Sequence, residues 1–370
     1  MRKGRNTVAV LGLLLLGLGS QAMAQLSPSY GPDASYWNSI SYTYNSVLNG
    51  NNSNGTPSYT YTAPFKMTGV LLNNPGTLLN DAYNYNTTPY NSGGQWEVFF
   101  QSTLAGDIGG TEIYVGQDYG NYPGGSGYYL SSPQTDSVGN TVPSWSQELT
   151  RVSEDADTQT PLQAGDLIEV EANVGTYYGG EFNVNEAHNT DPTYNFYIKI
   201  LQTNYGIPAP QIVSLSNIET PISTVVTSYS QSQNTSTGYP QSQIAKFSYN
   251  AAPGSGEYLQ GDWVELQDVQ LVPGTLSGNA WAANNYYMVE SSSGLELPIM
   301  LGSASDFTTA PMGYFNIYGV FNQDADSSDE DGYLISIPDA SDIVAVPEPI
   351  SLSMLAGLTT LLLIRRRAGR

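Results

Sequence analysis

Residues 261–272 read Gly-Asp-Trp-Val-Glu-Leu-Gln-Asp-Val-Gln-Leu-Val. Apolar and polar side chains alternate along this run, the period-2 signature of a strand with one buried face. The alternation changes phase near Asp268: Val264 and Leu266 set one parity, and Val269 and Leu271 set the other. An extra residue at the middle of the strand would keep both sets on one face. The stretch therefore predicts a strand, Trp263 to Val272, with a β-bulge at Asp268.

Working outward, the chain after this strand repeats short apolar runs between turn residues. Tyr286–Val289 precedes the turn Ser292-Ser293-Gly294, and Leu295–Leu301, Tyr314–Phe321 and Tyr333–Ile337 follow. The first half has a similar layout. Phe65–Leu72 is a strand with Gly69 inside it, a place for a bend or bulge. Trp96–Gln101 and Gly110–Val115 come next, then a long Gly/Tyr/Pro/Ser stretch from Gly116 to Ser146 that reads as a surface loop. In Leu167–Val174, Ile168, Val170, Ala172 and Val174 point one way while Glu169 and Glu171 point to a solvated face. Tyr177-Tyr178-Gly179-Gly180 turns the chain into Phe182–Val184, and Tyr194–Leu201 adds another strand. Ser58–Thr62 reads as an edge strand. No helix is expected in this half, which reads as an antiparallel β unit. Pro208-Ala209-Pro210 breaks the chain, Ile212–Ile222 is a short helix or an extended connector, and the Ser/Gln/Thr-rich Ser228–Gln243 is linker or loop.

Five short strands at this spacing in each half fit a small Greek-key barrel of the oligonucleotide/oligosaccharide-binding (OB) type, with a β-sandwich as the competing architecture. The fold class is thus all-β, two tandem barrels plus a signal peptide and a C-terminal single hydrophobic helix. The expected boundaries are a signal at 1–24, a Ser/Tyr/Asn-rich segment at 25–64, a first β domain at 65–207, a connector at 208–255, a second β domain at 256–345 and a sorting or anchor segment at 346–370.

Composition agrees. The 370 residues include 28 Tyr, 38 Gly and 22 Pro but no Cys, so stability has to come from ordinary cores rather than disulfides. Charge is unevenly placed. Arg2, Lys3 and Arg5 lie at one end and four arginines at the other, leaving Lys66, Arg151, Lys199 and Lys246 in the body. Four cations against 32 acids give that body a net charge of −28. Such a field repels phosphate backbones, so nucleic acid is not an expected partner, while divalent cations are attracted.

Few residues suggest chemistry. His188 is the only histidine, so a Ser-His-Asp or Cys-His arrangement has nothing else to draw on, and a zinc site of the usual kind lacks ligands. Glu169 and Glu171 share a strand face, but residues two apart on a strand sit roughly 6.5–7 Å apart through the rise alone. Asp324, Asp326, Asp329, Glu330 and Asp331, followed by Gly332, form the densest carboxylate run. Asp324, Asp326, Asp329 and Asp331 are candidate oxygen ligands for Ca²⁺, although Ser328 at position five and the absence of Gly at position six depart from an EF-hand loop. The alternative is a solvated acidic hairpin. No other cofactor is expected. The Tyr128-Tyr129, Tyr177-Tyr178 and Tyr286-Tyr287 pairs could stack on sugars or bases, or be half-buried strand residues.

The two ends read as addresses. Arg2, Lys3 and Arg5, the apolar Val8–Leu18 and the A-x-A of Ala22-Met23-Ala24 form a secretory signal cleaved before Gln25. At the other end Val346-Pro347-Glu348-Pro349 leads into an apolar run of 15 residues, Ile350–Ile364, and then Arg365-Arg366-Arg367. As a helix the run spans roughly 22 Å, short of the ~30 Å hydrocarbon core. The arginines would hold its end on the cytoplasmic side.

Two resemblances follow from these residues. The strings WEVFFQS, GGTEIYV and AGDLIEVEANVGTYYGG, with QGDWVELQDVQLV, YYMVESSSG, PMGYFNIYGVFNQ and IPDASDI in the second half, resemble OB-fold domains of secreted bacterial proteins over residues 65 to 345. The motif Pro347-Glu348-Pro349, the span and the Arg cluster resemble the PEP-CTERM sorting signal, which implies recognition and removal of the tail by a membrane-embedded exosortase. A plain single-span anchor is the alternative. Together these imply a protein exported through the Sec pathway, processed by signal peptidase and exosortase, and transiently anchored before it reaches the cell surface or extracellular matrix. It carries no evident catalytic site. A binding module for extracellular polysaccharide or oligonucleotide, and a hydrolase with carboxylates from distant strands, are the competing readings.

Overall fold

The computed structural model describes residues 59–61, 65–78, 95–103, 110–116, 132–135, 139, 141–172, 175–178, 181–185, 196–215, 259–275, 281–323 and 333–347. Within them the chain is predominantly β. In order, the first half supplies β1 (Tyr59–Tyr61), β2 (Phe65–Leu71), β3 (Gln95–Ser102), β4 (Gly110–Gly116), the two-residue pair β5 (Gln134–Thr135) and β6 (Thr141–Val142), and the helix α1 (Trp145–Val152). It continues with β7 (Leu167–Ala172), β8 (Gly175–Tyr178), β9 (Glu181–Asn185) and β10 (Tyr197–Gln202). Eight of these strands form one sheet in the order β1-β8-β9-β4-β3-β2-β7-β10.

The inner face of that sheet follows from alternation. Trp96, Val98 and Phe100 of β3, Ile113 and Val115 of β4, and Ile168, Val170 and Ala172 of β7 share a core with Trp145, Val152, Leu162 and Phe196. Each fully buried aliphatic or Phe side chain of this kind contributes about 1.5–3 kcal/mol. The helix corrects the expectation that none fits in this half. Ser144 caps it: its Oγ accepts the Gln147 N–H while the Gln147 side chain accepts the Ser144 N–H, a capping box. Its apolar face, Trp145 and Val152, packs into the core formed by the strands. Two further expectations change. β4 and β9 run parallel, so the unit is not purely antiparallel, and Tyr177-Tyr178 lies in strand β8 rather than in a turn.

The second half supplies β11 (Gln211–Val213), β12 (Trp263–Leu271), β13 (Tyr286–Ser291), β14 (Glu296–Leu301), β15 (Phe315–Gln323), β16 (Tyr333–Ile337) and β17 (Ile343–Ala345). Five of them close a ring, β12-β13-β14-β16-β15, through the pairing of β15 back onto β12. This is a closed five-stranded barrel rather than an open sandwich. β14 and β16 are parallel and the other ring pairs antiparallel. β11 adds in parallel outside β12, and β17 pairs with β15. The bulge sits where the phase change put it: Leu266 faces Ile317 but Val269 faces Phe315, with Asp268 at φ 56 between them. The Asp268 N–H donates to the Asn316 side chain at 3.1 Å, and Val264, Leu266 and Val269 are all fully buried.

The two units meet through a third, smaller core. Leu72, Leu78 and Phe99 of the first pack against Trp263 and Val320 of the second, flanked by Met300 and Tyr318. Among the described residues, three backbone donors cross the joint: Gly110 N–H to Gln260 O at 2.9 Å, Ser303 N–H to Thr77 O at 2.7 Å and Trp263 N–H to Gln101 Oε1 at 3.1 Å. Gly110 and Gly261 lie so close that a Cβ on either would collide with the other's backbone.

Candidate functional site

Of the C-terminal sorting motif, Val346 and Pro347 are described. Glu348, Pro349, Arg365, Arg366, Arg367, Ala22, Ala24, His188 and the loop carrying Asp324, Asp326, Asp329 and Asp331 lie outside the described residues. Among the described residues no helix is long and apolar enough to cross a membrane, and no three His, Cys, Asp or Glu form a metal-holding group.

The chain reaches Val346 through an ordered exit that the sequence did not announce. β17 lies along β15, with Ile343 opposite Ile317 and Ala345 opposite Phe315, and the Val346 N–H donates to Tyr314 O at 2.9 Å. A short 3-10 turn, Ala340–Asp342, delivers this strand. Asp339 caps the turn by accepting the Ser341 N–H at 2.8 Å, which lowers its pKa, while Asp342 reaches back to the Asp339 N–H at 3.2 Å. Burial, with the charges of Asp339 and Asp306 nearby, pushes the Asp342 carboxyl up to about 6. Asp342 therefore takes up a proton under mildly acidic conditions. A three-residue strand after a turn carries almost no periodic signal, which is why the exit was not legible.

Glu169 and Glu171 are brought together, and their surroundings correct the picture of a solvated face. Lys66 on the neighbouring β2 reaches both, at 2.9 Å to Glu169 and 2.7 Å to Glu171. On the other side Lys199 of β10 approaches Glu171 at 3.4 Å and Asp157 at 3.7 Å. The side chains of Lys66 and Glu169 are each 13 % exposed, so this is a half-buried ion-pair ladder across three strands. Opposing burial, hydrogen bonds from Lys66 lower the Glu171 pKa, and the two glutamates raise that of Lys66. Two carboxylates that share one ammonium, with the Glu171 pKa lowered, are poorly placed for glycosidic chemistry, which needs one of a pair raised to act as the acid.

Arg151 is committed as well, pairing with the buried Glu148, donating to Phe196 O at 3.1 Å and lying over the Phe196 ring. Asp155 ties the same region together. Its carboxylate accepts N–H bonds from Asp157 at 3.0 Å, Thr158 at 2.6 Å and Ile200 at 2.6 Å, which outweigh burial and lower its pKa.

The outward faces of the second and third strands of each ladder are where a small barrel offers its surface to ligands. In the first unit that face carries Phe99 and Gln101 of β3 and Glu112 of β4, and all three are buried, Phe99 directly beneath Trp263 and Val320. In the second unit the outward Met288 and Pro298 are buried too, and Met300 packs into the joint. Tyr286, Glu290 and Glu296 remain partly exposed. Burial, with the like charge of Glu290 added, raises the Glu296 pKa. The joint that covers the first unit's face was missed because nothing local in the sequence relates Gly110 to Gly261. No protein-family model matches this chain, and no curated protein matches it.

Proposed function

We propose that this chain is an exported, non-enzymatic surface or matrix protein. In this reading its body is a pair of OB-type barrels, the second of which packs onto the would-be ligand face of the first. The N-terminal signal exports it through the Sec pathway and signal peptidase removes that signal. The C-terminal segment, Pro347-Glu348-Pro349 with its apolar run and arginines, holds it at the membrane until exosortase-type processing releases it to the surface.

The observation that carries the reading is the burial of Phe99, Gln101 and Glu112. A barrel built to bind oligosaccharide or oligonucleotide keeps that face open, and here it is filled by Trp263 and Val320. The cations support it as well: Lys66, Arg151 and Lys199 are engaged by carboxylates within the first unit, which leaves little with which to grip phosphates. The OB assignment rests on the ring order β12-β13-β14-β16-β15 with its parallel β14–β16 pair, matched in the first sheet by β2-β3-β4-β9 with its parallel β4–β9 pair.

Intact-mass analysis of the protein recovered from its producing cells tests the proposal. A chain beginning at Gln25, ending near Pro349 and recovered from the cell surface is the expected result. A chain retaining Met1 to Ala24 inside the cell would overturn it. Binding of the purified body to a glycan array would instead favour the polysaccharide-module reading. Ca²⁺ at Asp324, Asp326, Asp329 and Asp331 is tested by calorimetric titration, with heat at millimolar Ca²⁺ or lower expected if the loop wraps the ion.

A further inference from the structure

The second unit is the most one-sidedly charged part of the chain: residues 256–345 contain 14 acids and no Lys or Arg. Against that background two adjoining segments carry no charge. One is the loop Phe307–Tyr314 (FTTAPMGY) between β14 and β15, and the other is Ile343–Pro347 (IVAVP), strand β17 and its continuation. They touch at the Val346 N–H bond to Tyr314 O. Phe307 roots the loop in the barrel core at 4 % exposure, while Gly313 turns at φ 69 and leaves Met312 90 % exposed at the tip. Tyr314, two residues on, is 38 % exposed, and Val344 of β17, opposite Asn316, is 47 % exposed. Large apolar side chains turned to water in one place, on a surface otherwise rich in carboxylates, mark a contact surface.

The chain itself indicates what covers them. Only Pro347, Glu348 and Pro349 separate Val346 from the apolar run that starts at Ile350. Four fully extended steps reach about 14 Å at most. If the run lies in a bilayer, this end of the barrel cannot stand off from the lipid surface. The run is also too short to span easily, which draws the barrel inward further. We infer that Met312, Tyr314 and Val344 seat the second barrel on the outer surface of the bilayer, at the boundary of headgroups and acyl chains, beside the chain's own tail. Tyr favours that boundary, and an exposed Met adapts its shape to disordered chains. Asp306, Asp339 and Asp342 flank the patch, so a zwitterionic surface receives it and an anionic one repels it. The inference rests on the membrane role proposed above for residues 350–364.

The absence of Cys makes the test direct. The full chain carrying Met312→Cys, labelled with an environment-sensitive fluorophore, is reconstituted with phosphatidylcholine vesicles. Ser146→Cys, on the exposed side of α1, is the control. The expected result is flotation with the vesicles, a blue shift at position 312 and at least two-fold quenching there by nitroxides placed shallow in the acyl region, with no change at 146. In the unlabelled full chain, combining Met312→Ser, Tyr314→Ser and Val344→Thr should lower the floated fraction at least two-fold. Flotation with a water-exposed probe at 312 would overturn the seating while leaving the tail as an anchor. A full chain that does not float removes the anchor and the seating together. A probe shielded without lipid quenching, in a chain that cross-links to dimers, would assign the patch to a second copy and overturn the inference.

Discussion

In the second unit one strand, β15, pairs with β12 from Phe315 to Val320 and with β16 from Val320 to Gln323. The first unit divides that task between β7, on β2, and β8, on β9, with two residues between them. The outward faces differ accordingly. β15 turns Tyr318 and Val320 into the joint, whereas β7 turns Glu169 and Glu171 toward Lys66 and Lys199. Inward positions follow strand alternation in both units, while outward positions obey whatever covers them. A neighbouring domain calls for apolar side chains there, and a partly open face is satisfied by ion pairs.

The strongest way to break this comparison is to remove the shared cover. Trp263→Ala should cost about 3–5 kcal/mol, because it leaves a cavity bounded by both units. Urea denaturation should then show the two units unfolding in separate steps, and an unchanged midpoint would mean that the joint contributes little. Gly110→Ala attacks the same joint from the other side by overfilling it, with an expected loss of about 1–3 kcal/mol.

Lys66→Met strikes the first unit alone. Glu169 and Glu171 lose their shared cation while staying half-buried, an expected loss of about 1.5–3 kcal/mol read as faster amide exchange in β2, β7 and β10. The pH dependence carries a sign. Glu171 and Asp155 have lowered pKa values, so their contribution is present above the usual carboxylate range and is lost as pH falls through the lowered values, below about 4. Lys66, raised above the ordinary lysine range, contributes until pH rises through that raised pKa, in alkali.

The smallest effect sharpens the contrast. Asp342, pushed up to about 6, binds a proton more tightly in the folded chain, so the second unit should gain stability as pH falls from 7 through 6. After solvent screening the gain is about 1 kcal/mol, and Asp342→Asn should abolish it. Thermal melts at pH 7 and pH 5 check this: the parent chain's rise should vanish in the variant, while first-unit amides keep their protection at both values.

How much could be read beforehand depends on the range of the interaction. The bulge at Asp268 was visible because a phase change is local, and β16 was bounded at Tyr333 and Ile337 for the same reason. The helix α1 was hidden in a Gly- and Pro-rich stretch, although Ser144 and Gln147 at capping-box spacing signalled it. Alternation placed Glu169 and Glu171 on one face but could not supply Lys66, which arrives from another strand in a register set by the fold. The joint was beyond reach, since Gly110, Gln101, Gly261 and Trp263 meet only after two separate units have formed. The address signals at either end remain readings of sequence, outside the described residues apart from Val346 and Pro347.

The second unit closes the first unit's strand face over Phe99. Hydrogen exchange at the amides of Gly110, Trp263 and Ser303 in the purified protein tests it most directly, because each N–H donates across the joint. The account predicts protection of these three comparable to that of Val98 and Ile317 in the two cores. Exchange faster by orders of magnitude at all three, with Val98 and Ile317 still protected, would mean that the units part readily and the face is open to a ligand.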